Sequence, residues 1–321
     1  MTYLVTGAGG FIGARFIESC NRKGIPVISV DGYDTFERKE HEGLDFGRMI
    51  PRDYLRNWLV ENNPKIEAII HLGACTDTTE TDVDYITRVN SMYSQQLWEY
   101  ATHNHIPFIY ASSAATYGDG SSGYDDDESR LDVLEPLNPY GQSKHDFDQW
   151  AIDGDQYGFC PPTWVGFKFF NVYGYGERHK DRMSSMVLQA YDQIKETGKV
   201  KLFKSHKEDV PDGHQKRDFI YVQDIIDVLN WAVQGKCIKR GIYNLGTGRA
   251  RTYLDLVNAV FAALGKEPNI EFIDTPEDIR GQYQYFTEAN MDKFKERYTN
   301  LVFYTLEQGV NQYVKQLESS V

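Results

Sequence analysis

A chain of 321 residues is long enough to bury a large core and to divide into two lobes. Its formal net charge of −13 argues against an extended nucleic-acid surface, while leaving room for a local basic site that takes a nucleotide. The four cysteines, Cys20, Cys75, Cys160 and Cys237, are widely spaced and match no disulfide or metal-ligand pattern; with no metal expected, no signal peptide and no long apolar span, the expected location is a reducing cytoplasm.

Tyr3-Leu4-Val5 reads as a first strand, followed by Gly7-Ala8-Gly9-Gly10-Phe11-Ile12-Gly13. A helical pattern then runs through Phe16 and Ile17 to Gly24, and Val27-Ile28-Ser29-Val30 forms a second strand ending at Asp31. A glycine cluster alone marks only a turn. Between a strand and a helix, and 18 residues before a strand-terminal Asp, it predicts a nicotinamide dinucleotide site. Gly7 permits the tight turn, Gly10 lets backbone approach a pyrophosphate, and Gly13 lets the helix pack on the sheet. The helix N-terminus offers amide donors to the phosphates. Asp31 is placed to accept hydrogen bonds from the adenosine ribose, which favours NAD. Arg38 and Lys39 in the next loop can neutralise a 2′-phosphate, although Glu37, Glu40, His41 and Glu42 around them also read as a solvated charge cluster. NAD and NADP both remain open.

Further along, Ala68-Ile69-Ile70-His71 reads as a buried strand, residues 84 to 104 as a helix, and Ile106 to Tyr110 as a strand ending at Ala111-Ser112-Ser113. Trp164 to Phe169 is another strand. This alternation predicts an α/β fold, a doubly wound parallel sheet of Rossmann type. Ligands in such a sheet bind beyond the carboxyl ends of the strands. Gly73-Ala74-Cys75-Thr76, Ser112-Ser113 and Phe170-Asn171-Val172 should therefore converge on one edge.

Asn138 is placed to cap a helix with Pro139 at its first position. Tyr140 and Lys144 would then share one face, and the Lys144 ammonium would pull the phenol below its usual pKa of about 10. The plain alternative is a surface Tyr and Lys on an amphipathic helix. Residues 119 to 135 read as a long loop beside the site, and residues 204 to 216 as a second polar loop whose two histidines fit no structural-zinc spacing. Arg217-Asp218-Phe219-Ile220-Tyr221-Val222 precedes a helix from about 223 to 234. Amphipathic helices at about 252–265 and 305–318 belong to a smaller mixed α/β C-terminal lobe. The expected domains are residues 1–170 with about 217–250 for the dinucleotide, and 171–216 with about 251–321 for the substrate.

Taken together, the glycine turn, Ser113, Tyr140-x-x-x-Lys144 and Arg217 to Val222 resemble the extended short-chain dehydrogenase/reductase superfamily, with its NAD-dependent epimerases and dehydratases. Longer strings resemble the ADP-L-glycero-D-manno-heptose 6-epimerase family within it. These are Ala111 to Gly118, Phe170 to Gly174, His179-Lys180, Asn244 to Ala250 and Gly281 to Thr287, so the likeness spans nearly the whole chain. The resemblance implies an isomerase that inverts C6″ of an ADP-heptose through a transient ketone, with tightly held NAD or NADP and a place in lipopolysaccharide core biosynthesis. It implies Tyr140 as one acid/base group, Ser113 on the reacting oxygen, Lys144 on the nicotinamide ribose, and Lys180 as the second acid/base group beside the cofactor. Phe11, Ile12, Gly32, Arg38, Asn90, Val172 and the run Leu72, Gly73, Ala74, Cys75 and Thr76 fall at cofactor positions. Asn171, Arg182, Gln189, Phe203, Arg217 and Tyr283 fall at substrate positions, with Arg217 on the diphosphate. Arg182 and Gln189 stand where the family carries Ser and His, and Gly32 stands where it carries Asn. A homo-oligomer is expected, with neither nucleic acid nor membrane as partner.

Three rival functions share parts of this motif set. A 4,6-dehydratase needs an Asp-Glu pair after the serine, where this chain has Ala114-Ala115. A UDP-hexose 4-epimerase stays open. A non-catalytic dinucleotide-binding protein would tend to lose Tyr140 or Lys144, and both are kept. For two basic residues a second role also stays open: Lys180 in a diphosphate patch with Arg178, His179 and Arg182, and Arg217 in a surface ion pair with Asp218.

Overall fold

Seven parallel strands form the central sheet, in the order Gly241–Leu245, Trp164–Phe169, Phe108–Ser113, Ala68–His71, Tyr3–Thr6, Val27–Asp31, Arg48–Pro51. The structure is a computed structural model that describes residues 1–235, 239–276, 284–298 and 302–319, so Cys237 and Tyr283 lie outside the described residues. Tyr3–Thr6 sits between the second strand of the chain and the fourth, and the chain reverses its direction of winding there. That switch point is where an open α/β sheet leaves a crevice for a ligand. The doubly wound sheet expected from the sequence is the one observed.

The strands are apolar on both faces because helices cover both. Tyr3, Leu4 and Val5 are buried, as are Ala68, Ile69 and Ile70. On one side Trp98 is fully buried, its ring centroid 5.7 Å from that of Phe108, 6.1 Å from Phe147 and 5.1 Å from Trp164. On the other, Val222–Ala232 packs on Phe11–Arg22, and Asn230 Nδ2 donates to Ser19 Oγ at 2.9 Å.

Most elements fall where periodicity places them. The strand expected at Ile106–Tyr110 runs from Phe108 to Ser113 instead. Its last two residues are serines, which carry no apolar signal, yet they pair with Lys168 and Phe169. The helix expected over 84–104 is continuous but composite: Val83–Ile86, a widened π turn at Thr87–Met92, then Tyr93–His103. Such turns recur at functional sites, and this one carries Asn90. The Pro139–Gln156 helix begins as expected, with Asn138 Oδ1 accepting from Gly141 N–H at 2.8 Å and Pro139 in the first turn. The 119–135 stretch contains one short 3₁₀ helix, Glu128–Val133, capped by Asp127.

Outside the central sheet, the described residues form three two-stranded pairings. Val200–Phe203 pairs in parallel with Ile270–Ile273, Asn171–Tyr173 in parallel with Phe219–Tyr221, and Lys216–Arg217 antiparallel with Arg251–Thr252. Helices Met186–Thr197, Tyr253–Ala263 and Leu306–Ser319 pack together behind them. Among the described residues no helix is long and apolar enough to cross a membrane.

Candidate active site

A cleft of about 550 Å³ opens at the carboxyl ends of the strands. Gly7, Gly10, Phe11, Ile12 and Gly13 line it, and the local backbone explains the glycines. Gly7 has φ +65°, and a Cβ there would meet Gly73 N at 2.6 Å. A Cβ on Gly13 would meet the Gly7 carbonyl oxygen at 2.0 Å. The helix starts at Gly10 with no side-chain cap, so its first-turn amides face the cleft as donors for an anion. A dinucleotide pyrophosphate fits this cradle.

At one end of the cleft Asp31 accepts from Gly9 N–H at 3.0 Å and from Gly32 N–H at 2.9 Å. Burial pushes its carboxyl up, against those two bonds and nearby Arg38 and Arg52. Arg38 donates to the Gly9 carbonyl, and Arg38 and Arg52 both line the cleft. Gly32 shapes the wall through its bond to Asp31 and does not face the cleft. Leu72, Gly73, Ala74 and Thr76 line the next stretch, with Gly73 N–H donating to Thr6 Oγ1 at 3.2 Å.

Cys75 and Asn90 lie behind this wall. Asn90 Oδ1 accepts from Cys75 N–H at 2.8 Å, and Asn90 Nδ2 donates to the Cys75 carbonyl and to Ser143 Oγ, both at 3.0 Å. Asn90 is 2 % exposed, so it holds the cofactor wall against the Tyr140 helix instead of facing the cleft.

Ser113, Tyr140 and Lys144 line the inner end. The Ser113 hydroxyl hydrogen-bonds the Tyr140 phenol, while burial pushes that phenol above its usual range. This corrects the expectation of a lowered Tyr140. Lys144 Nζ donates to the Ala111 carbonyl at 2.8 Å, so its charge is directed at main chain. Burial brings the Lys144 ammonium down to about 8, with Asp148 opposing. Behind this group lies a sealed network that sequence reading missed. Lys168 Nζ donates to Asp148 Oδ2 at 2.8 Å and to Thr116 Oγ1 at 2.6 Å. Ser112 donates to the same carboxylate at 2.7 Å and Tyr110 at 2.9 Å.

Opposite the glycine turn, Val172, His179, Lys180 and Met183 line the cleft. Lys180 rides on the Arg178–Met183 turn, with its Nζ 5.7 Å from the Phe11 ring centroid. Burial lowers its pKa, and the fully buried Glu177 opposes that. Glu177 accepts from Ser185 N–H at 2.7 Å and Gly174 N–H at 3.3 Å, which ties the two ends of this loop together.

These geometries agree with what comparison finds. A family model described as "NAD dependent epimerase/dehydratase family" matches residues 3–246. The chain belongs to that family. It is 45% identical to the ADP-L-glycero-D-manno-heptose-6-epimerase of Fusobacterium nucleatum, over 97% of this chain and 96% of the relative. It is 44% identical to the protein of that name from Nitratidesulfovibrio vulgaris, over 98% and 97%. Among solved structures, the Helicobacter pylori ADP-L-glycero-D-manno-heptose-6-epimerase superposes with a TM-score of 0.81 at 25% identity, over 99% of this chain and 96% of that one. A member of this family uses NAD(P), and the glycine cradle is where this chain would hold it.

Five substrate positions inferred from resemblance stand outside the family cleft's lining, and Tyr283 lies outside the described residues. Asn171 is exposed, its side-chain oxygen accepting from Thr287 Oγ1 at 3.4 Å. Arg182, also exposed, donates to Thr79 Oγ1 at 2.9 Å. Gln189 Nε2 donates to the Ser184 and Arg182 carbonyls at 2.8 and 3.3 Å, so its amide serves main chain. Phe203 ends the Val200–Phe203 strand, and Arg217 is buried with Nη1 donating to the Lys216 carbonyl at 2.9 Å. Conversely, Arg52 and Tyr93 line the cleft with no sequence signal pointing to them, since single charged or aromatic residues in helices carry no local pattern, whereas His179, read with Lys180 in the sequence, does line it. Among the described residues, no group of three or more His, Cys, Asp or Glu could hold a metal ion.

Proposed function

We propose that this protein inverts C6″ between ADP-D-glycero-D-manno-heptose and ADP-L-glycero-D-manno-heptose. The observation that carries the reading is one cleft lined by the Ser113–Tyr140–Lys144 group, by Lys180 and by the glycine cradle. Bound NAD(P)+ supplies a hydride acceptor and, after oxidation of the sugar, a hydride donor. The residues do the rest. Tyr140 or Lys180 takes the 6″-hydroxyl proton as C6″ loses hydride, leaving a 6″-ketone. Ser113 hydrogen-bonds the reacting oxygen. After the ketone turns in the cleft, hydride returns to its opposite face and the other group, protonated from the start, donates its own proton to the oxygen, leaving the pair in the reverse protonation state. Lys144, four residues after Tyr140 on the same helix and lining the same cleft, is in this reading the residue that holds the nicotinamide ribose. On the same reading Arg217 takes the diphosphate, the substrate lobe being residues 171–216 with about 251–321 and the dinucleotide domain residues 1–170 with about 217–250. Exposed Val83, Met92 and Leu137 offer apolar surface that a second copy would cover in a homo-oligomer. A cytoplasmic location fits the free Cys20, Cys75 and Cys160.

The test is incubation of the purified protein with either ADP-heptose epimer, with product separated by chromatography, alongside UDP-galactose. Equilibration of the heptose epimers supports the proposal. Turnover of UDP-galactose alone would replace it with a hexose 4-epimerase.

A further inference from the structure

We propose that Glu40 is a latch that closes the loop after Asp31 onto the Lys180 turn, and so sets how long the dinucleotide stays bound. The inference rests on the NAD(P) cleft described above. Residues 38 to 40 touch the glycine turn and its helix twice: Arg38 donates to the Gly9 carbonyl, and the Glu40 carbonyl accepts from Arg15 Nη2 at 3.1 Å. The Glu40 side chain reaches across to the other wall. Its Oε1 accepts from Arg178 N–H at 3.1 Å, and His179 Nδ1 lies 3.9 Å from its Oε2. Arg15 joins the same contact, its guanidinium 5.2 Å from the Tyr175 ring centroid.

Charge reinforces the geometry. The Glu40 side chain is 12% exposed and His179 21%. Burial pushes the Glu40 carboxyl up, yet nearby His179 and the bond from Arg178 N–H outweigh it and hold the carboxyl below the usual range. A carboxylate kept ionised under partial burial makes a stronger contact than a surface pair. Arg38 on one segment, and His179 and Lys180 on the other, line the cleft that the glycine turn also lines. The Glu40 contact therefore bridges segments on both sides of the bound dinucleotide. A reaction that removes hydride and later returns it to the same sugar fails if cofactor escapes in between, so such a bridge has a direct use.

Glu40→Ala tests this. The protein is loaded with NADH if denaturation releases NAD, or with NADPH if it releases NADP, and mixed with excess of the same cofactor in oxidised form; nicotinamide fluorescence then gives the release rate. Glu40→Ala is expected to release roughly tenfold faster, with its melting temperature unchanged. Glu40→Gln keeps an oxygen for Arg178 N–H and is expected to fall between. Asp192→Asn, which breaks the half-exposed Arg178–Asp192 pair at 3.0 Å, should release at the unaltered rate. A Glu40→Ala rate less than threefold above the unaltered protein, or an Asp192→Asn rate equal to that of Glu40→Ala, overturns the latch. Should Glu40→Ala fail to fold, Glu40→Gln carries the test with the same threshold. No sugar enters the assay, so failure to turn over ADP-heptose leaves this result readable.

Discussion

Lys168 Nζ and Asp148 Oδ2 meet at 2.8 Å with neither side chain exposed to solvent. The pair lies directly behind the reacting end of the cleft, since Ser112 next to Ser113 donates to the same carboxylate. Removing one partner strands the other charge in the core. Asp148→Asn or Lys168→Met alone should each cost roughly 3–5 kcal/mol of stability. The double variant should recover most of that. Urea midpoints of the four proteins check it; single variants costing under about 1 kcal/mol would contradict it.

Gly13→Ala puts a methyl group 2.0 Å from the Gly7 carbonyl oxygen, which only backbone movement can relieve. The glycine turn should open, with a cost of about 1–3 kcal/mol. Cofactor recovered on denaturation should fall well below one per chain. A variant that melts and loads like the unaltered protein would contradict the cradle.

Tyr140→Phe removes the phenol beside Ser113, with cofactor held as before. Turnover should fall by about 10²–10⁴. Lys180→Met should lower kcat and kcat/KM together, whereas a rise in KM with kcat intact would make Lys180 a diphosphate contact.

How much of this was legible in sequence depended on whether the signal was local. The glycine turn, Ser113 and the Tyr140–Lys144 spacing are local strings, and the fold brings them to one cleft. The i,i+4 spacing placed Tyr140 and Lys144 together correctly but could not say where the ammonium points. It points at the Ala111 carbonyl, so burial sets the Tyr140 phenol. Asp148 and Lys168 are on a helix and a strand 20 residues apart, and nothing in a single sequence pairs them. Asn90 looked cofactor-facing by resemblance, yet its amide is spent on Cys75 and Ser143.

His71 gives the molecule a readable pH dependence. It is fully buried, with Nδ1 2.6 Å from Thr6 Oγ1 and Nε2 2.7 Å from Ser94 Oγ. Thr6 Oγ1 already accepts from Gly73 N–H, and Ser94 donates to the Asn90 carbonyl. The relay therefore needs neutral His71 with its proton on Nε2. Burial, with Lys144 adding to it, brings the imidazole down to about 3 from an ordinary 6.5. Above pH 6.5 neither state binds the proton, so His71 leaves stability flat. Below it the unfolded chain takes a proton that the folded one refuses, and stability falls with pH. Between pH 6.5 and 5 that loss is about 2 kcal/mol. His71→Asn should flatten the slope in that window, as read by urea unfolding; an unchanged slope would contradict the assignment.

The central claim is that hydride leaves C6″ and returns to the same carbon from the other side. The most direct measurement is proton NMR of product formed from ADP-heptose carrying deuterium at C6″, in ordinary water. The account predicts the inverted epimer with its deuterium retained. Product whose deuterium has been replaced by solvent protons, or no inversion at C6″ at all, would contradict it.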